Sequence, residues 1–130
     1  MLNLKTQAVL LQLSKEQLNT LLLNTATFGT ILPTEAKNFQ HSEEGIQFTL
    51  ASMPEIRLKK SSESEFVSYE ATGGKMPFSI SCKANTLSAD TCEALFEFSG
   101  DFNPMMAMMA KKPLQKFIDT LASNLSRLEK

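Results

Sequence analysis

The segment from Gly100 to Lys130 constrains the fold more than any other part of the chain. It opens Gly-Asp-Phe-Asn-Pro-Met-Met-Ala-Met-Met-Ala-Lys-Lys-Pro and continues as a regular amphipathic run to Ser-Arg-Leu-Glu-Lys. Asp101 or Asn103 can cap a helix, and Pro104 suits its first turn, where a missing N–H costs nothing. The pattern predicts one C-terminal helix of up to about 26 residues, roughly 39 Å long at about 1.5 Å per residue. A helix that long is no trimming on a small domain; the fold has to be built around it. At about 100° per residue, Met106, Ala110, Leu114, Phe117, Leu121, Leu125 and Leu128 fall on one stripe with Ile118 beside it, the expected core face. Met105, Met108 and Met109 fall on roughly the opposite side, in line with Lys112 and Lys116. Pro113 lies inside the run and predicts a bend.

The remainder is built mainly of short alternating segments. Leu4, Thr6, Ala8, Leu10 and Gln12 share one parity and predict a strand over 4–12. Ser14-Lys-Glu-Gln17 is a capping box for a helix carrying Leu18, Leu21 and Leu22. A second short helix is predicted through Thr27 to Leu32, ended by Pro33. Strands follow, separated by turn signals. They are marked by Phe39 and His41, by Ile46, Phe48 and Leu50, by Ile56 and Leu58, and by Val67, Tyr69 and Ala71. The last two carry Phe78, Ile80, Cys82 and Ala84, then Cys92, Ala94, Phe96 and Phe98. Period-2 alternation gives each strand one wet and one dry face, and short links imply an antiparallel meander. The dry face of such a sheet needs a cover. Only the terminal helix is large enough to supply it.

A chain of 130 residues is expected to form one domain over 1–130 with a real core. Its 13 basic and 14 acidic residues nearly cancel. That balance lacks the electrostatic footprint of a nucleic-acid binder, so no nucleic acid is expected as partner. No apolar run approaches a membrane span, and the N-terminus lacks a signal-peptide pattern, so the expected compartment is the cytoplasm. Cys82 and Cys92 are expected to be reduced, buried thiols, because a turn near Ala89 sets Cys92 opposite about Thr86 rather than Cys82. Two cysteines and one histidine do not readily make a zinc site, and no metal or cofactor is expected.

Phe48-Thr-Leu50, Met53-Pro-Glu-Ile56, Val67-Ser-Tyr69, Gly74-Lys-Met-Pro-Phe78 and the run Gly100 to Met109 resemble small Bacteroidetes members of the START-like, or SRPBCC, superfamily. The resemblance covers nearly the whole chain, and 100–109 is its most specific part. It implies an α+β helix-grip fold. A curved antiparallel sheet of about six to seven strands would wrap around the long C-terminal helix, with two short helices after the first strand and a cavity between sheet and helix. Members bind lipids, sterols, polyketides, ubiquinone-like molecules or partner proteins, and some are cyclases or aromatic-ring oxygenase domains. Plant-allergen-type members carry a glycine-rich loop where this chain has only the turn Ser42–Gly45. No set of polar residues matches a cyclase or hydrolase site.

Strand parity nominates Phe48, Leu50, Ile56, Tyr69, Phe78, Ile80, Phe96 and Met106 as walls of an apolar pocket. The expected function is non-catalytic binding or carrying of a small hydrophobic molecule, lipid-, polyketide- or quinone-like. One alternative is a protein-interaction or homodimerising module that uses Met105, Met108 and Met109 as an adaptable apolar surface. A cyclase- or hydrolase-like enzyme is the other. His41, beside a polar turn and with no partnered nucleophile, reads as a surface residue, and Glu70 as facing water.

Overall fold

Ser14 starts the first helix through its side chain. In the computed structural model, which describes residues 2–34, 36–49, 55–61, 67–72 and 78–128, Ser14 Oγ accepts the Gln17 amide at 3.1 Å. The Gln17 carboxamide oxygen accepts the Ser14 amide at 3.0 Å. This reciprocal pair satisfies two amides of the helix start, and α1 runs Lys15–Leu23. Asn24 then caps α2, Thr25–Thr30, its Oδ1 accepting from the Ala26 and Thr27 amides.

The strands are β1 (Leu2–Lys5), β2 (Val9–Leu11), β3 (Lys37–His41), β4 (Gly45–Thr49), β5 (Ile56–Ser61), β6 (Val67–Ala71), β7 (Phe78–Ser88) and β8 (Thr91–Gly100). They form one antiparallel sheet in the order β1-β8-β7-β6-β5-β4-β3, with β2 also on β8. Among the described residues the sheet has eight strands, because the strand predicted over 4–12 is two. Leu4 pairs with Phe98 but Leu11 with Cys92, a slip of one residue between β1 and β2. Thr6 sits in the slip. Its amide donates to the Phe96 carbonyl at 2.9 Å, and its Oγ1 accepts the Phe96 amide at 3.0 Å. One extra residue reverses every later side chain. Leu10, expected to share a face with Leu4, is therefore 61% exposed, and Leu11 is buried instead.

Gly45 opens β4 where the hairpin strands approach most closely. A β-carbon there would overlap the Leu58 carbonyl oxygen, so the position needs glycine. Elsewhere parity holds as predicted: Ile46, Phe48, Ile56, Leu58, Tyr69, Ile80, Phe96 and Phe98 are all buried.

Asn103 caps the long helix, its Oδ1 accepting the Met106 amide at 2.8 Å. This helix, α3, runs Pro104–Asn124 with Pro113 inside it, and a 3₁₀ turn continues it through Leu125–Leu128. Leu114, Phe117, Ile118, Leu121 and Leu125 are buried, and Phe117 stacks on Phe48 of the sheet with ring centroids 5.6 Å apart. The two short helices close one end of this sandwich. Tyr69 Oη donates to the Leu22 carbonyl at 2.7 Å and Lys60 Nζ to the Leu23 carbonyl at 3.0 Å. Thr25 Oγ1 donates to the Ser42 carbonyl, and Asn124 Nδ2 to the Ile31 carbonyl at 2.9 Å. The strand registers, which pair Phe48 with Ile56 and Phe78 with Gly100, bring Thr49, Ile56, Ala71, Phe78 and Gly100 to the other end, where α3 begins.

Candidate ligand-binding site

The strand parity that buries one face of the sheet brings Phe48, Ile56, Tyr69, Ile80 and Phe96 onto it together. Phe78 joins them half-buried at the end where α3 begins, and Leu50 lies outside the described residues. Two of these side chains are held by named contacts. Phe48 meets Phe117 of the helix, and Tyr69 packs its ring on Phe28 of α2 with centroids 4.5 Å apart. The middle and the closed end of the interface are thus occupied by side chains.

The end where α3 begins is built differently. Phe78, Phe98 and Phe102 form a chain of rings, with centroids 5.1 and 5.9 Å apart. Phe102 occupies the position before the helix cap, where a hydrophobic side chain fixes the entry of the chain into the helix. On α3, the residues turned inward here are Ala107 and Ala110, both half-buried against the core. Met106, expected on the core stripe and as a pocket wall, is 37% exposed. The reason is helical phase. At about 100° per residue, Ala107 lies about 20° from Leu114 and Met106 about 80°. The smaller Ala107 is the better placed of the two to face the sheet. Phe98, Phe102, Ala107 and Ala110 also meet at this end, beyond the wall residues that strand parity nominates. The staple spacing of Phe102 and Ala107, fourth in the helix, was the available signal.

Met105, Met108 and Met109 point away from this interface and are 73%, 81% and 75% exposed. They are side by side on the first turns of α3, as their angular separation from the core stripe predicts.

Among the described residues the buried hydroxyls are committed to structure. Thr6, Thr25 and Tyr69 bond to backbone groups, and the Ser81 hydroxyl donates to Ser68 Oγ at 3.2 Å. Burial pushes the Tyr69 hydroxyl well above its ordinary range. Cys82 and Cys92 are free and buried, and Thr86 pairs with Cys92 across β7 and β8. Burial, with a smaller contribution from Cys92, pushes the Cys82 thiol up to about 12, and burial raises Cys92 as well. Neither thiol supplies a nucleophile near neutral pH. His41 is exposed, stacked beside Phe39 at 5.7 Å, and its Nδ1 stands 3.5 Å from Thr25 Oγ1. It borders a shallow polar depression on the outer face of β3, β4 and β5, with Gln47, Arg57 and Lys59. A second depression runs along the outer face of α3 past Lys112 and Lys116. Neither lies between sheet and helix. Among the described residues no helix is long and apolar enough to cross a membrane.

No protein-family model matches the chain, and no curated protein does. Solved structures do. A START superfamily protein from Mycobacterium smegmatis superimposes with a TM-score of 0.67 at 11% identity, over 97% of this chain and 98% of that one. This chain has the helix-grip, START-like fold. Norcoclaurine synthase from Thalictrum flavum, solved with dopamine and hydroxybenzaldehyde, gives 0.69 at 11% identity over 98% and 86%. The di-domain ARO/CYC BexL of the BE-7585A biosynthetic pathway gives 0.73 at 11% identity, over 98% of this chain and 46% of that one. These likenesses concern the helix-grip architecture. The Bacteroidetes likeness of the sequence motifs has no counterpart among the three.

Proposed function

We propose that the chain binds a small hydrophobic molecule, lipid-, polyketide- or quinone-like in character, between the sheet and the N-terminal half of α3, without transforming it. The observation that carries this reading is the change along the inner face of the helix. Toward the closed end that face presents Leu114, Phe117 and Leu121. Toward the helix start it presents only Ala107 and Ala110, while large side chains turn outward. A helix that places its small residues inward, beside three phenylalanine rings, suits an apolar guest better than a closed core. Phe78, Phe98, Phe102, Ala107 and Ala110 form the proposed mouth, with Phe48, Ile56, Ile80 and Phe96 deeper. Met106 belongs to the proposed rim.

The commitment of the buried hydroxyls to structural bonds favours a carrier over the cyclase-like alternative that BexL and norcoclaurine synthase bring to mind. The free, buried thiols suit a reducing compartment and hence the cytoplasm.

Filling the space tests the proposal. Ala110→Phe and Ala107→Phe should each weaken uptake of an apolar fluorescent probe by about tenfold or more, comparable to removing a good fraction of the buried contact area. The melting temperature should stay close to that of the parent. The chain has one tyrosine and no tryptophan, so emission from Tyr69 reports the interior independently. Unchanged uptake in both variants would remove the site from this end of α3.

A further inference from the structure

The outward face of α3 does not end at its methionines. Met105 and Met109 are four residues apart, as are Met108, Lys112 and Lys116 in succession, so the five side chains continue one another along the helix. All five are exposed. From Pro104 to Ile118 the helix carries three lysines and no acidic side chain. Asp101 stands before the cap, and Asp119 follows the lysines, with its Oδ1 accepting from Gln115 Nε2 at 2.9 Å.

We propose that this end of α3 docks on an anionic lipid surface. The methionines enter the boundary between headgroups and acyl chains, and Lys112 and Lys116 meet the lipid phosphates. The dimensions agree. Apolar faces of interfacial helices sink about 5–10 Å below the headgroups. Four helical residues, the step from Met108 to Lys112, span about 6 Å. Lys112, set back by that distance, stays at headgroup depth, and Lys116, about 12 Å back, reaches the phosphates from the water side, while their aliphatic stems follow the methionines. Flexible thioethers suit a surface with no fixed shape.

A second copy of the chain fits less well. The methionine-bearing turns expose roughly a few hundred Å², the size of the largest patch on an ordinary monomer. A stable pair buries about 800 Å² on each side. The lysine row, moreover, has no part in a contact between methionines.

Co-sedimentation of the full chain with vesicles decides the matter, using phosphatidylcholine alone and phosphatidylcholine mixed with phosphatidylglycerol. The parent should bind the anionic vesicles roughly tenfold or more tightly than the neutral ones, and lose that preference at high salt. Lys112→Gln with Lys116→Gln should abolish the preference. Met108→Ser with Met109→Ser should abolish binding to both compositions, with melting curves unchanged in either pair. The proposal fails if the parent ignores anionic vesicles, or if neither pair of changes alters binding. It fails equally if the methionine pair instead abolishes a concentration-dependent dimer seen by analytical ultracentrifugation. Dye uptake by the same variants without vesicles is read separately, so loss of docking and loss of the interior site remain distinguishable.

Discussion

Phe117→Ala is expected to lower folding stability by about 3–5 kcal/mol. The ring is buried, stacks on Phe48 at 5.6 Å and lies on the stripe where α3 meets the sheet. Truncation removes its transfer free energy and leaves a cavity that Leu114 and Leu121, fixed on the same helix, cannot collapse into. Denaturant titration should show a lower midpoint at unchanged slope, since the same surface is exposed on unfolding. Met109→Ala, one helical face away and three-quarters exposed, should stay within about 0.5 kcal/mol. A loss below about 1 kcal/mol at Phe117 would mean that the helix is not gripped by the sheet through this stripe.

Alkaline pH is expected to unfold the protein through its buried acids. Cys82, Cys92 and Tyr69 all have folded values raised above their unfolded ones by burial. The neutral form of each fits the interior, and its stability is fully present below the unfolded value. Above that value the unfolded chain releases a proton that the folded chain holds, so stability falls as pH rises. For Cys82 the window runs from 9.0 to about 12. At about 1.4 kcal/mol per pH unit, this thiol alone withdraws on the order of 4 kcal/mol across that window. Tyr69 adds its own decline from its unfolded value near 10 upward. Melting temperature should therefore fall steadily above pH 9. Cys82→Ala should flatten the fall, and alkylation of intact protein at pH 8 should be slow. A flat profile to pH 11, or a parent mass two hydrogens light in material purified without oxidant, would contradict the buried, reduced thiols.

What the sequence disclosed followed local rules strictly. The alternation of Ile46 with Phe48, Ile56 with Leu58, and Phe96 with Phe98 stated which face was dry, because a strand has no other period to offer. Ser14, Gln17 and Asn103 marked helix starts, because an orphan amide N–H must donate to an acceptor and few side chains supply one there. Long-range choices were not legible. Thr6 could be foreseen as a strand residue, but not as the extra residue that turns Leu10 out and Leu11 in. That bulge depends on a bond to Phe96, far along the chain. The helix posed a similar limit. Seven apolar residues between Pro104 and Ala110 leave its phase undetermined from within, so Met106 was placed on the core stripe that Ala107 occupies. The phase is set from beyond, by Leu114 and Phe117 meeting the sheet. The ring chain of Phe78, Phe98 and Phe102 likewise joins three places that only the register of β7 on β8 brings together.

Methyl-resolved NMR, with the alanine and methionine methyls labelled and an apolar probe titrated in, tests the proposed site most directly. Ala107 and Ala110 pack half-buried near the helix start, whereas Ala122 is buried toward the closed end. A guest held between sheet and helix should shift the Ala107 and Ala110 methyls in a saturable way and leave Ala122 nearly still. If both inner methyls stay unmoved while the methyls of Met105, Met108 and Met109 shift, the probe only adsorbs to the outer face of α3, and the chain does not bind its ligand inside the helix grip.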